Sequence, residues 1–154
     1  MFTPDDVAGI VDLFGALTRS ELETALSELA YRRGEEPPED AVDEALTAFA
    51  LVGIDRDGKR LLAPGPTAFP TVPDGAEDLP HILGTDGRSV DREPIAAAAV
   101  SRFREAAVRA ADREDAARAV ELVDVSYDIE AWGGRDLAGI RDRLDAVRND
   151  GTNY

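Results

Sequence analysis

The chain has no cysteine, a single histidine and a single lysine, Lys59, set among sixteen arginines. Without cysteine there can be neither disulfides nor thiolate metal sites, and nothing follows about the redox compartment. The one histidine, His81 in the stretch LPHIL, would need nearby partners to serve as a base or ligand, and a packed or loop imidazole is the simpler reading. No apolar run reaches the length of a membrane span, and the N-terminal MFTPDDVAGIVDLF is acidic where a secretory leader is basic. A cytoplasmic location is therefore expected. Also missing are HExxH, GxSxG and a Gly-Lys-Ser/Thr phosphate loop, so no enzyme and no cofactor are expected. Asp55-x-Asp57-Gly58 begins like a calcium loop, but Lys59, Arg60, Leu61 and Leu62 follow where further acids are needed. The carboxylate pairs Asp124/Asp128 and Glu130/Asp136 are spacings that 32 acidic residues produce by chance; they read as surface.

What the chain has in excess is negative charge. Its 32 acids face 17 bases, a net charge of -15. At molar salt the Debye length is about 3 Å, so crowded carboxylates repel little while still holding water. An acidic, alanine-rich, lysine-poor composition of this kind resembles that of cytoplasmic proteins from salt-in haloarchaea, although an acidic protein of a GC-rich mesophile would look similar. Acidity that serves the solvent says little about partners, so charge has to be read locally. Residues 1–91 hold 19 acids and 7 bases, whereas residues 92–149 hold 12 and 10. A length of 154 residues with 44% hydrophobic side chains suits one domain, or a small domain with an appendage, around a real core.

Thr3-Pro4-Asp5-Asp6 carries a helix start: a capping hydroxyl, proline at the first helical position, and acids at the positive end of the dipole. The apolar stripe Val7, Ile10, Val11, Phe14, Leu17 predicts a helix from Pro4 to Leu17. Thr18-Arg19-Ser20-Glu21 has capping-box spacing, with Leu22, Ala25, Leu26 and Leu29 behind it, predicting a second helix that ends near Gly34. Pro37-Pro38 then opens a third over about Pro38 to Ala50, its stripe being Val42, Ala45, Leu46 and Phe49. Leu51–Ile54 and Arg60–Ala63 flank Asp57-Gly58, a pair that accepts the positive φ angles of a tight hairpin. Residues 64–91 hold five prolines and glycines at 65, 75, 84 and 87, an extended connector. Its apolar Phe69, Val72, Leu79, Ile82 and Leu83 imply that it packs along the domain, and TAFPTVP is read as part of that wrapping.

From Arg92 the period is helical again, in three stripes. The first includes Ile95, Ala99 and Phe103, the second Ala119, Val120 and Val123, and the third Leu137, Ile140 and Leu144. Asp112–Asp115 reads as either a bend or part of one rod, Gly133-Gly134 separates the last two helices, and residues 150–154 should fray. The expected fold is mostly α with a small β-hairpin: a first domain over 1–63, a packed connector over 64–91, and a helical C-terminal region over 92–149.

Three helices followed by a ribbon over about residues 3–63 resemble the winged helix-turn-helix fold, and the whole chain resembles uncharacterised haloarchaeal proteins that join such a unit to a helical tail. In that fold the third helix usually enters the DNA major groove. Here it carries Glu39, Asp40, Asp43 and Glu44 and no base, and unbalanced carboxylates are repelled by a phosphate-lined groove. Nucleic acid is thus disfavoured, and a protein partner or a homodimer is expected instead, with Asp40, Asp43 and Glu44 as one candidate surface. The alternative, a DNA-binding regulator, would rely on Arg32, Arg33, Arg56, Lys59 and Arg60, which otherwise read as helix-dipole partners and solvated ribbon charges. In the C-terminal helices Ile95, Phe103, Val120 and Val123 form either an antiparallel dimerisation face or a stripe folded onto the chain itself. Trp132, the one tryptophan, is either an interface anchor or a plug between the last two helices.

Overall fold

The structure is a computed structural model that describes residues 2–133 and 135–152. The chain divides into two units, Met1–Ile95 and Ala96–Tyr154. It is mostly helical, with one small antiparallel sheet.

In the first unit helix α1 spans Pro4–Phe14 and helix α2 spans Arg19–Arg32. Both begin with capping boxes; the one at Thr18 matches the spacing in the sequence, and at Thr3, where a capping hydroxyl is expected, Asp6 completes a box as well. Thr3 Oγ1 accepts from the Asp6 amide at 3.1 Å while Asp6 Oδ2 accepts from the Thr3 amide at 3.0 Å; Thr18 and Glu21 repeat the exchange at 3.2 and 2.8 Å. Helix α1 is shorter than predicted. Gly15 at φ 86° closes it, and Leu17–Thr18 becomes strand β1. Leu17 fits the period of the helical stripe, yet it is buried as a strand residue facing Leu62.

Helix α3 covers only Ala41–Thr47, not Pro38 to Ala50. The two prolines and Asp40 lie outside it, and the Asp40 side chain makes no capping bond. At its other end Phe49 takes φ 62° while the Ala50 amide reaches back to the Ala45 carbonyl at 2.9 Å, ending the helix with a left-handed residue. Phe49 still falls into the interior, fully buried, which is why it fits the helical period without being helical.

Strands β2 (Leu51–Arg56) and β3 (Lys59–Pro64) form the predicted hairpin, each two residues longer than the apolar runs suggested. Asp57 and Gly58 sit at φ 52° and 77°, the positive angles of a two-residue turn. The sheet has three strands, not two, in the order β1-β3-β2, all antiparallel. One core joins these elements: Val7, Ile10, Val11 and Phe14 of α1, Leu22, Leu26 and Leu29 of α2, Val42 of α3, and Leu51 and Leu62 of the sheet.

The connector lies against the first unit, but of the apolar residues expected to hold it only Leu79 is buried and Leu83 partly so, whereas Phe69, Val72 and Ile82 are exposed; much of the attachment is made by hydrogen bonds instead. The Thr71 amide donates to the Asp5 carbonyl at 3.2 Å and its hydroxyl to Asp6 Oδ1 at 3.0 Å. A Cβ on Gly9 of α1 would stand 1.9 Å from the Thr71 carbonyl oxygen, so the missing side chain is what lets the connector lie against the helix. Ala76 and Leu79 enter the core itself. One stretch expected to be extended is a short helix, α4, Leu79–Leu83, with Pro80 in its first turn.

The second unit is built from helices. Helix α5, Arg92–Asp112, runs into it from the end of the first unit and is followed by α6, Ala116–Gly133, and α7, Ala138–Thr152. Of the two options for Asp112–Asp115 the structure has the bend, with Glu114 at φ 52°. Gly134 and the last two residues of the expected tail lie outside the described residues, and α7 itself extends to Thr152. Phe103, Ala119, Leu122 and Ile129 are fully buried. Helices α6 and α7 are tied by a polar bridge: Arg141 Nη1 donates to Glu130 Oε1 at 2.6 Å and to Ser126 Oγ at 3.1 Å, and its guanidinium lies 4.2 Å from the Tyr127 ring centroid.

Candidate functional site

The acidic third helix stands at the surface of the first unit. Ala41, Val42 and Ala45 turn inward, leaving Asp40, Asp43, Glu44 and the preceding Glu39 exposed. One of them has a partner that charge counting along the helix missed: Arg19, at the start of α2, donates to Asp43 Oδ1 at 2.9 Å and to Glu23 Oε1 at 2.9 Å. The first-turn position of Arg19 gives no hint of this pairing, because Asp43 is 24 residues away in sequence and near in space only after α3 docks on α1. No base lies on α3 itself.

Four of the five candidate DNA-contacting bases donate to the chain's own oxygens. Arg32 reaches the Gly75 carbonyl at 3.1 Å and Arg33 the Asp74 carbonyl at 2.9 Å, so both strap the connector to the end of α2. Arg33 also lies 5.4 Å from the Phe2 ring centroid. Arg56 donates to the Ser89 carbonyl at 2.7 Å. Arg60 leans back along the hairpin to Asp55 at 3.4 Å, its guanidinium covering Gly53, where a Cβ would meet it at 2.8 Å. Lys59 is exposed, and its ammonium has no partner among the described residues. Carbonyl acceptors are invisible to a charge count, which is why these anchorings escape sequence reasoning.

The connector's far end is held by a stronger device. Arg88 Nη1 donates to Glu21 Oε1 at 2.7 Å and to the Ala16 carbonyl at 3.1 Å, Nη2 donates to Glu21 Oε2 at 3.2 Å, and the Arg88 amide donates to the Phe14 carbonyl at 2.6 Å. Glu21 therefore serves twice, as half of the α2 capping box and as the bidentate partner of an arginine 67 residues on. The Arg88 hydrogen bonds hold its carboxyl down at a pKa of about 2, against the partial burial that would raise it.

In the second unit the expected interface residues separate. Phe103 is fully buried, Val123 is 9% exposed, and Ile95, at the end of the first unit, is 6% exposed; Val120 stands out at 43%. Trp132 is half-buried. The carboxylate pairs also part ways. Glu130 is paired with Arg141 and accepts from the Leu137 amide at 2.7 Å, and the Arg141 bond keeps its pKa below the usual range. Partial burial raises the Asp128 carboxyl, and Asp124 adds to the effect. Among the described residues no three histidine, aspartate or glutamate side chains stand together as a metal site, and no helix is long and apolar enough to cross a membrane.

Sequence reasoning overlooked one feature of this unit, an apolar concavity of about 390 Å³ between α5 and α7. It is lined by the buried Ala107 and Leu144, by the exposed Ala111, and by Val108, which is 57% exposed. Arg104, Arg143 and Asp112 stand at its margins. The signal was present as Val108 lying one position off the buried stripe of α5, but an isolated exposed valine is too common on soluble helices to stand out.

The chain has no match among the curated proteins or the solved structures. A family model described as a family of unknown function, DUF7109, matches residues 5–149, through both units, and the chain belongs to that family.

Proposed function

We propose that the chain is a non-catalytic interaction or regulatory module of a halophilic, archaeal cytoplasm, built on a winged-helix-like first unit and binding a protein partner or a second copy of itself. The observation that carries this reading is where the positive charge goes. Arg32, Arg33, Arg56 and Arg60 are engaged with oxygens of their own unit, while Glu44 of the would-be reading helix, and Glu39 and Asp40 just before it, face solvent without a counter-charge from that helix. A phosphate backbone gains affinity from cations that displace its counterions, a gain that shrinks as salt rises. A surface that offers carboxylates in molar salt suits polar contacts with protein instead. The apolar concavity of the second unit supports the same reading.

A second reading has its own support. Arg56, Lys59 and Arg60 are exposed around the hairpin turn, Lys59 with no partner among the described residues, and Arg bonds to surface carbonyls exchange readily for phosphate. On that reading the chain is a winged-helix regulator that touches DNA through its wing. Affinity purification from a host grown and lysed in molar KCl, run beside gel shifts of genomic DNA fragments over a salt series, separates the two. A stoichiometric protein, or a second copy of the chain, is the expected finding. Retarded DNA whose binding weakens when Arg56, Lys59 and Arg60 become alanine would overturn the proposal in favour of the second reading.

A further inference from the structure

Arg104, Val108 and Asp112 follow one another on α5 at intervals of four residues. This spacing places them on one face of the helix, with Val108 in the middle and opposite charges about 6 Å to either side at a rise of about 1.5 Å per residue. All three line the apolar concavity, together with Ile140 and Arg143 of α7. Neither Arg104 nor Arg143 has an ion-pair partner among the described residues, in a chain with nearly twice as many acids as bases.

A stripe that reads plus, apolar, minus is its own complement when turned end for end. We infer that this face binds a second copy of the chain about a two-fold axis through Val108, with the two α5 helices antiparallel. Such a contact sets Arg104 of each copy against Asp112 of the other, two identical ion pairs from one surface, as a closed isologous dimer requires. Val108 of each copy lies towards the other's concavity, where Ala107 and Ala111 let the helices approach closely and Leu144 provides an apolar floor. The face differs from the Ile95, Phe103, Val123 stripe, whose members are already buried in the chain. It deepens the interaction-module reading by naming the partner.

The charge order makes the inference testable by exchange. Light scattering of the full chain over about 5 µM to 1 mM is expected to approach twice the 16.5 kDa chain mass. Arg104→Asp places two aspartates face to face on each side and is expected to weaken dimerisation at least tenfold, about 1.4 kcal/mol, at about 0.15 M salt. The exchange Arg104→Asp with Asp112→Arg restores complementarity and should recover the wild-type dissociation constant. Within one helix the two positions are eight apart and out of reach, so recovery cannot come from a repair inside the chain. Val108→Glu, at an exposed position, should abolish the dimer in molar KCl as well, where the ion pairs are screened. Far-UV circular dichroism verifies that each variant is folded.

A wild type that stays monomeric throughout, a dimer indifferent to Val108→Glu, or an exchange variant no better than Arg104→Asp overturns the inference. If the chain is monomeric but recovers a different protein from its host, this inference fails and the interaction-module reading stands. If it is monomeric and shifts DNA, both fail.

Discussion

Breaking the Glu21–Arg88 clamp should loosen the connector, and the loss should depend on pH in a way that identifies the clamp. The Glu21 carboxyl is held from 4.5 down to about 2, chiefly by the Arg88 hydrogen bonds. At about 1.4 kcal/mol per unit this corresponds to a ceiling of about 3 kcal/mol. The two side chains keep 29% and 25% of their surface exposed, so solvent and salt reduce the coupling to about 1–2 kcal/mol. A group whose folded pKa lies below its unfolded one stabilises the fold fully above the unfolded value and loses that contribution as pH falls through the folded one. The stabilisation should therefore be complete above about pH 5 and disappear between about 4.5 and 2. Since the chain has 32 acids, acid unfolding of the wild type alone reports many groups at once. A double-mutant cycle of Glu21→Gln and Arg88→Ala, measured by urea titration followed by far-UV circular dichroism at pH 7, 5, 4 and 3, isolates the pair. A coupling of about 1–2 kcal/mol at pH 7 that falls steadily below pH 4.5 is expected. A coupling near zero at pH 7, or one equally large at pH 3, would refute the reasoning.

Two further substitutions test the packing on which both surfaces depend. Gly9→Ala drives a methyl into the Thr71 carbonyl, since its Cβ would sit 1.9 Å from that oxygen; it should cost about 2–4 kcal/mol in urea unfolding and raise amide exchange over residues 69–76. Ser126→Ala removes a fully buried hydroxyl that donates to the Val123 carbonyl and accepts from Arg141. A loss of about 1–2 kcal/mol, with faster exchange at the α6–α7 junction, is expected, and an unchanged midpoint would show that the bridge adds no stability.

How much of this was legible in the sequence varies with the range of the interaction. Local chemistry was readable: the Thr3/Asp6 and Thr18/Glu21 caps and the Asp57-Gly58 turn stand where spacing and backbone preference put them. Boundaries set by a single backbone angle were not. Leu17 and Phe49 keep the helical period because they are buried, while Gly15 and the left-handed Phe49 have already ended their helices. Least readable were contacts to main-chain oxygen. Arg32, Arg33 and Arg56 look like free surface charge until the connector's carbonyls are laid beside them, and Arg88, on the connector, until the Ala16 carbonyl is. The concavity between α5 and α7 has the same origin, because an apolar face read from periodicity does not reveal which of its residues the neighbouring helix leaves uncovered.

The most direct test of the central claim, that this surface serves protein contacts and not a nucleic-acid duplex, is sedimentation velocity of the full chain mixed with fluorescent genomic DNA fragments from about 0.15 M to about 2 M KCl. The DNA is expected to sediment at its own rate at every salt concentration, while the protein boundary moves faster with rising protein concentration. DNA that co-sediments with the chain at low salt and is released as salt rises would contradict the account.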